Sequence, residues 1–250
     1  MPTSRVARPD EGTTRERTAH PHHLGSGERL VGRRLLVPLP VFAKPRTPGK
    51  IVVMAYSADL HLTGDPKADE ALSRDPLALL IGMLLDQQVT MEKAFSSPAV
   101  LAERMKTKAL DAKKIVSTAP DKLAEIFSTP PALHRFPGSM AARTQQMCAA
   151  LVADYGGRAD AVWTGVKTGD ELLTRLQALP GFGEQKAKIF LALLGKQLAI
   201  RPNGWREAAG AYGEDSVFRS VADIVDSASL AKVRSYKQQM KAAAKAAAGK

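Results

Sequence analysis

The chain has 250 residues, enough for one domain with tails or two small domains, and a formal net charge of +11. That charge favours a polyanionic partner, while aromatics are scarce at 5% and Ala, Leu and Lys are common, which points to helix. A single cysteine, Cys148, excludes an internal disulfide framework and any cluster held by four thiolates, and no apolar run reaches the roughly 18 residues of a membrane-spanning helix.

Residues 1–53 differ from the rest. They are rich in Arg, Pro, Gly, Thr and Ser and show no helical period, so they read as a disordered basic arm. Leu35 to Phe42 has strand character, interrupted by Pro38 and Pro40. His20, His22 and His23 cluster without carboxylate or thiol partners, which makes a poor metal site. Met54 offers an alternative translation start, and the N-terminus carries no signal-peptide pattern. The expected location is cytoplasmic, or nucleoid-associated in a bacterium.

Helical signals begin near Asp75, a good N-cap, followed by Pro76 at the first helical position. Leu77, Leu80, Ile81, Leu84 and Leu85 recur at helical spacing, and Leu79 and Met83 fill another face, so this helix is expected to be buried nearly all round. It ends abruptly at Asp86-Gln87-Gln88. Ser97-Pro98 reads as the start of a helix carrying Val100, Leu101 and Met105. Pro120 to Phe127 forms a short helix, and Ser139 caps a longer one that Gly156-Gly157 stop. Cys148 lies on that helix's apolar face as an inert core thiol. Asp170 caps the next helix.

Residues 176–190 carry the most information. Leu176 and Leu179 end one amphipathic helix, and Ala187 and Phe190 open a second that ends at Gly195. Leu179-Pro180-Gly181-Phe182-Gly183 must turn sharply between them. Gly181 and Gly183 can adopt backbone angles closed to other residues, and Phe182 can point back between the helices. The turn presents bare N–H groups at a helix N-terminus, where an anion is favoured. With Lys186 and Lys188 following, that anion reads as a nucleic-acid phosphate. After Arg201-Pro202-Asn203-Gly204 a short helix starts at Trp205, which either stacks on a base or packs in the core. A last helix carries Leu230, Val233 and Tyr236 and runs into the Lys/Ala-rich tail 231–250, a frayed end or a basic arm that touches DNA. Trp163 packs in a linker. The total is about eight helices and essentially no sheet.

The turn at 179–183 resembles the helix-hairpin-helix motif. Leu84-Leu85-Asp86-Gln87-Gln88-Val89-Thr90 is similar to the Gln-containing turn of base-excision DNA glycosylases of the helix-hairpin-helix (HhH-GPD) superfamily, and the order of Gln turn, long helix and hairpin agrees over about residues 75–230. The resemblance implies an all-α, two-lobed, glycosylase-like domain over 54–230. Its DNA-binding residues are Gly181, Phe182, Gly183, Gln185, Lys186, Lys188, Gln87 and Gln88, with Gln88 the first choice and Gln87 the second to fill the stack left by a flipped nucleotide. The bland alternative is that the two glutamines merely end a helix.

Bifunctional members carry a lysine where this chain has Gln185. Lys186 sits roughly 100° further round the helix and is expected to face phosphate or solvent. The resemblance therefore implies a monofunctional enzyme that uses water. The family aspartate position falls on Asn203, which keeps a helix-capping role without charge. Glu207, one turn on, is the candidate displaced acid, or else a surface residue pairing near Arg206. Asp86 is a further candidate, and Glu184 is expected to face solvent. The resemblance also implies no iron–sulfur cluster, a monovalent cation at the hairpin, damaged double-stranded DNA as partner, and a monomer. A non-catalytic protein that binds distorted DNA is the alternative, because Asn203 is uncharged.

Overall fold

The computed structural model describes residues 59–248, so the expectations for the arm, its histidines, its strand-like segment and Met54 lie outside the described residues. Among the described residues there are ten α-helices and three short 3-10 turns, and the only sheet-like pairing is a single bridge between Thr168 and Asn203. The chain is all-α.

Helix α1 (Pro66–Arg74) precedes the first helix expected from sequence; Asp65 caps it by accepting from Lys67 N–H. Helix α2 (Pro76–Leu85) starts as expected. One oxygen of Asp75 accepts from the N–H groups of Leu77 and Ala78, and the other accepts from Leu110 N–H across the fold. Burial pushes the Asp75 carboxyl above its ordinary range, and the three N–H bonds oppose that shift. Every residue from Leu77 to Leu85 is buried, as the two-faced apolar pattern requires.

Helix α3 (Met91–Arg104) corrects the expected start at Ser97-Pro98. Thr90 caps the helix through Lys93 N–H, and the chain is already helical when it reaches Pro98. An interior proline removes one backbone hydrogen bond and crowds the preceding turn. Here the buried Ser97 hydroxyl bonds both the Lys93 and Leu133 carbonyls at 2.7 Å, tying that turn to the loop before α6. Helices α4 (Ala112–Ser117) and α5 (Pro120–Ser128) follow, then α6 (Pro137–Tyr155). The long helix begins two residues before Ser139, with Pro137 in its first turn, and Gly156 in the left-handed region ends it. Cys148 is buried, and burial pushes its thiol up to about 12, which fits an inert core residue.

Helix α7 (Gly169–Gln177) is capped by Thr168 and not by Asp170, because the Thr168 hydroxyl reaches Glu171 N–H. Helix α8 (Glu184–Gln197) does not stop at Gly195. That glycine lies within the helix because the Trp205 indole packs on it; a Cβ there would sit 2.3 Å from the ring. Trp205, 7% exposed, is a core residue of α9 (Trp205–Ala209). Trp163 is likewise buried and tilts against Phe190 at 5.8 Å. Helix α10 (Ser227–Ala248) is continuous across residue 230.

The helices pack in two groups. In the first, α2 lies on α3, α1 on α3, and α4 and α5 on α6. In the second, α8 packs on α7, α9 and the 3-10 turn Val221–Asp223. A buried ion pair holds the second group: Lys196 Nζ donates to Asp223 Oδ1 at 2.5 Å, and the other Asp223 oxygen accepts from the N–H groups of Arg219 and Ser220. Removing one partner of such a pair strands a buried charge, at a cost of about 3–5 kcal/mol.

Candidate nucleic-acid interface

The hairpin and the Gln turn meet directly. Gly181 has φ +88°, so an L side chain would be strained there, and a Cβ would lie 2.4 Å from Leu84 Cδ1 at the end of α2. Gly181 thus serves both the turn and the contact. Gly183 differs from expectation. Its φ is −70°, open to any residue, and nothing lies within 4 Å of a Cβ built on it. What glycine supplies at 183 is open space over the N-terminus of α8, where no side chain caps the first N–H groups. An anion can approach that backbone closely. Phe182 is buried edge-on to Phe190 at 5.9 Å, so it fastens the hairpin and offers no face to DNA.

Lys186 corrects the expectation of a phosphate or solvent contact. It is half-buried, and its ammonium donates to the Leu84 carbonyl at 2.7 Å, across to the first group of helices. Burial, and to a smaller degree Arg143, pull its pKa down to about 8; Asp86 acts in the opposite direction. Lys188 pairs with Glu184 at 2.6 Å, one helical turn away, and Glu184 itself is exposed. Gln185 is exposed and donates from Nε2 to the Tyr212 hydroxyl at 2.9 Å, which ties α8 to the short turn after α9.

At the Gln turn the two glutamines take different roles. Gln87 is pinned on every side. Its Nε2 donates to the Leu84 carbonyl at 2.9 Å and approaches Met140 Sδ at 3.6 Å, and its Oε1 accepts from Arg143. Its backbone carbonyl is 2.8 Å from His134 Nε2. Because His134 Nδ1 accepts from Phe136 N–H, the ring proton sits on Nε2 and is donated to Gln87. Gln88 is exposed and has φ +56°, a conformation that costs a non-glycine residue about 1–2 kcal/mol. The anchored neighbour forces the strained residue outward. Phe136, 44% exposed, stands two residues beyond His134 with the Arg135 guanidinium 5.3 Å from its ring centre.

The candidate acids separate. Asp86 has a side chain only 14% exposed and lies 3.4 Å from Lys237 of α10. Asn203 does not cap α9. Gly204, at φ +70°, is the N-cap, and no side chain completes it. The backbone of Asn203 is instead stitched to the start of α7, its N–H to the Lys167 carbonyl and its carbonyl to Gly169 N–H, while its side chain is exposed. Glu207 is exposed, makes no salt bridge among the described residues, and turns its Oε2 back towards Gly204, 3.8 Å from a Cβ built there. Arg206 pairs with Asp215 and the Gly213 carbonyl, so the suggested pairing of Glu207 near Arg206 does not form.

His134, Arg143 and Tyr212 were invisible in the sequence. The first two reach Gln87 from 47 and 56 residues away, and Tyr212 reaches Gln185 from 27, with no local motif around any of them. No group of three or more His, Cys, Asp or Glu side chains among the described residues can hold a metal ion. No helix among them is long and apolar enough to cross a membrane.

A helical fold whose glycine turn bares a helix N-terminus beside a protruding Gln defines a class of proteins that grip a nucleic-acid backbone. The family profile described as "HhH-GPD superfamily base excision DNA repair protein" matches residues 81–248, and the chain belongs to that superfamily. A search of curated proteins found no match, and neither did a search of solved structures. Membership makes this a DNA-binding protein of base excision repair.

Proposed function

We propose that the protein is a monofunctional DNA N-glycosylase that hydrolyses the bond between a damaged base and its sugar. The observation that carries this reading is the joint between hairpin and Gln turn: Gly181 packed on Leu84, and Lys186 bonded to the Leu84 carbonyl. Such a joint makes the phosphate grip and the protruding Gln88 one rigid unit. Flipping a nucleotide costs a few kcal/mol, and the vacated stack must be filled while the backbone is held. The N-terminus of α8 takes the phosphate, the Gln88 amide offers a donor and an acceptor to the orphaned base, and exposed Phe136 offers a stacking face.

Glu207 is assigned the fixed negative charge that stabilises the oxocarbenium-like sugar and helps water attack. Its exposure, its lack of a salt-bridge partner among the described residues, and its turn towards Gly204 support that role over Asp86, which is engaged with Lys237. Gln185 cannot form a Schiff base, and the Lys186 amine is directed at a backbone carbonyl, so lyase chemistry is not part of the proposal. A monovalent cation at the hairpin would be held by the backbone carbonyls of Pro180, Gly181 and Phe182, hard oxygen ligands, because the Leu179 carbonyl already accepts from Phe182 N–H. The enzyme is read as a cytoplasmic monomer acting on double-stranded DNA.

Base release from a panel of duplexes carrying alkylated, oxidised or deaminated bases is the test. Glu207→Gln is expected to lower single-turnover release about 10²–10³-fold with duplex affinity unchanged. No release of any base by the folded, DNA-binding protein would overturn the reading. The uncharged, exposed Asn203 favours a second reading, a non-catalytic binder of distorted DNA. It predicts lesion-selective binding that neither Glu207→Gln nor Asn203→Asp alters.

A further inference from the structure

Helix α10 is built in two halves. Leu230 and Val233 are buried in its first half, whereas every residue from Lys237 to Ala247 is exposed. The second half therefore runs beyond the packed body, and tertiary burial does not hold it. Its sequence, with Lys241 and Lys245 separated by alanines, has high helix propensity and no apolar stripe. A short helix without packing is marginal in water. Residues 227–250 contain five Lys, one Arg and no Asp or Glu.

The basic side chains are ordered around the axis. At 100° per residue, Arg234, Lys237, Lys241 and Lys245 fall within an arc of about 80°. The near end of this stripe is fixed at the Gln turn. Arg234 bonds Glu92, while Lys237 lies 3.4 Å from Asp86 and 3.8 Å from Met91 Sδ. Lys241 and Lys245 continue the stripe outward and make no salt bridge among the described residues. Lys232 lies on the opposite side, over the Phe218 ring at 4.4 Å.

We propose that the second half of α10 is a duplex-binding extension, with Lys241 and Lys245 contacting phosphates beside the site where Gln88 enters. Charge complementarity selects the occupant. The stripe is cationic, regular and without acids, and it starts at the DNA-facing turn of a DNA-binding protein. A lipid surface would require an apolar face opposite the lysines, and alanine with a lone Met240 does not make one. These contacts position and do not read sequence. The proposal rests on the DNA grip described above and not on base release.

The test is fluorescence anisotropy of the full chain on an undamaged 30-base-pair duplex across a salt series, with helicity followed by circular dichroism. Each lost phosphate contact lowers the slope of log affinity against log salt by about 0.9. Lys241→Gln with Lys245→Gln is expected to lower the slope by about two and weaken binding at least about tenfold at 0.1 M salt. Lys232→Gln should leave both unchanged. Wild-type slope and affinity in the double variant, or an equal loss in Lys232→Gln, would overturn the proposal. Because the duplex is undamaged, the outcome separates from the glycosylase reading: intact base release with an unchanged slope sinks the extension alone, and a lowered slope without base release sinks the enzyme alone.

Discussion

The turn at Asp86–Val89 and the turn at Arg201–Gly204 each follow a buried helix, and they are held differently. In the first, side chains do the holding: Gln87 bonds Leu84 and Arg143, His134 bonds its carbonyl, and Gln88 is left outward and strained. In the second, the backbone bridge between Asn203 and the start of α7 holds the turn together with one side chain, Arg201, whose Nε donates to the Gly195 carbonyl, and the side chains of Asn203 and Glu207 stand exposed. The part proposed to grip and wedge is over-determined. The part assigned to chemistry depends on one unpaired carboxylate set on a rigid backbone. Binding and turnover should therefore respond to different substitutions.

The largest expected break in this contrast is Gly181→Ala. Positive φ and overlap with Leu84 together should cost about 2–4 kcal/mol, with lower Tm and weaker binding to all duplexes alike. Gly183→Ala should leave Tm near wild type while weakening binding, because only the approach to the helix N-terminus is filled; an equal loss of Tm at the two positions would erase the distinction.

The two glutamines sharpen it further. Gln87→Ala removes bonds to Leu84 and Arg143 and should cost about 1–2 kcal/mol of stability, read by denaturant unfolding. Gln88→Gly relieves the left-handed strain and should gain up to about 1 kcal/mol while lowering affinity for a duplex with an abasic gap. A Gln88→Gly protein that binds the gapped duplex as wild type does would remove the wedge role.

A last, pH-dependent effect concerns Lys186. Its pKa is lowered in the fold to about 8 from an ordinary 10.5, so between those values the unfolded chain binds more protons. Stability from this group is then lowest below about pH 8 and rises as pH climbs towards 10.5. Lys186→Met should flatten that rise in Tm; an unchanged profile would show that the amine is not held in the joint.

Much of this molecule is present in local pattern. Asp75-Pro76 and the apolar run after it specify α2, Gly156 ends α6, and the Pro-Gly-Phe-Gly turn specifies the hairpin, because caps, periodicity and turn chemistry act over a few residues. Pattern also misled where distant partners intervened. Gly195 reads as a helix stop until Trp205 is seen to occupy the space above it, and Ser97-Pro98 reads as a start until Thr90 is seen to have capped the helix earlier. The helical class, the hairpin and the family are all legible in local pattern. Long-range packing pins Gln87 and lets Gln88 protrude, turns Lys186 inward to Leu84, and leaves Glu207 without a salt bridge among the described residues. Gln87 and Lys186 are held by partners 47 to 102 residues away, where no local spacing carries a signal.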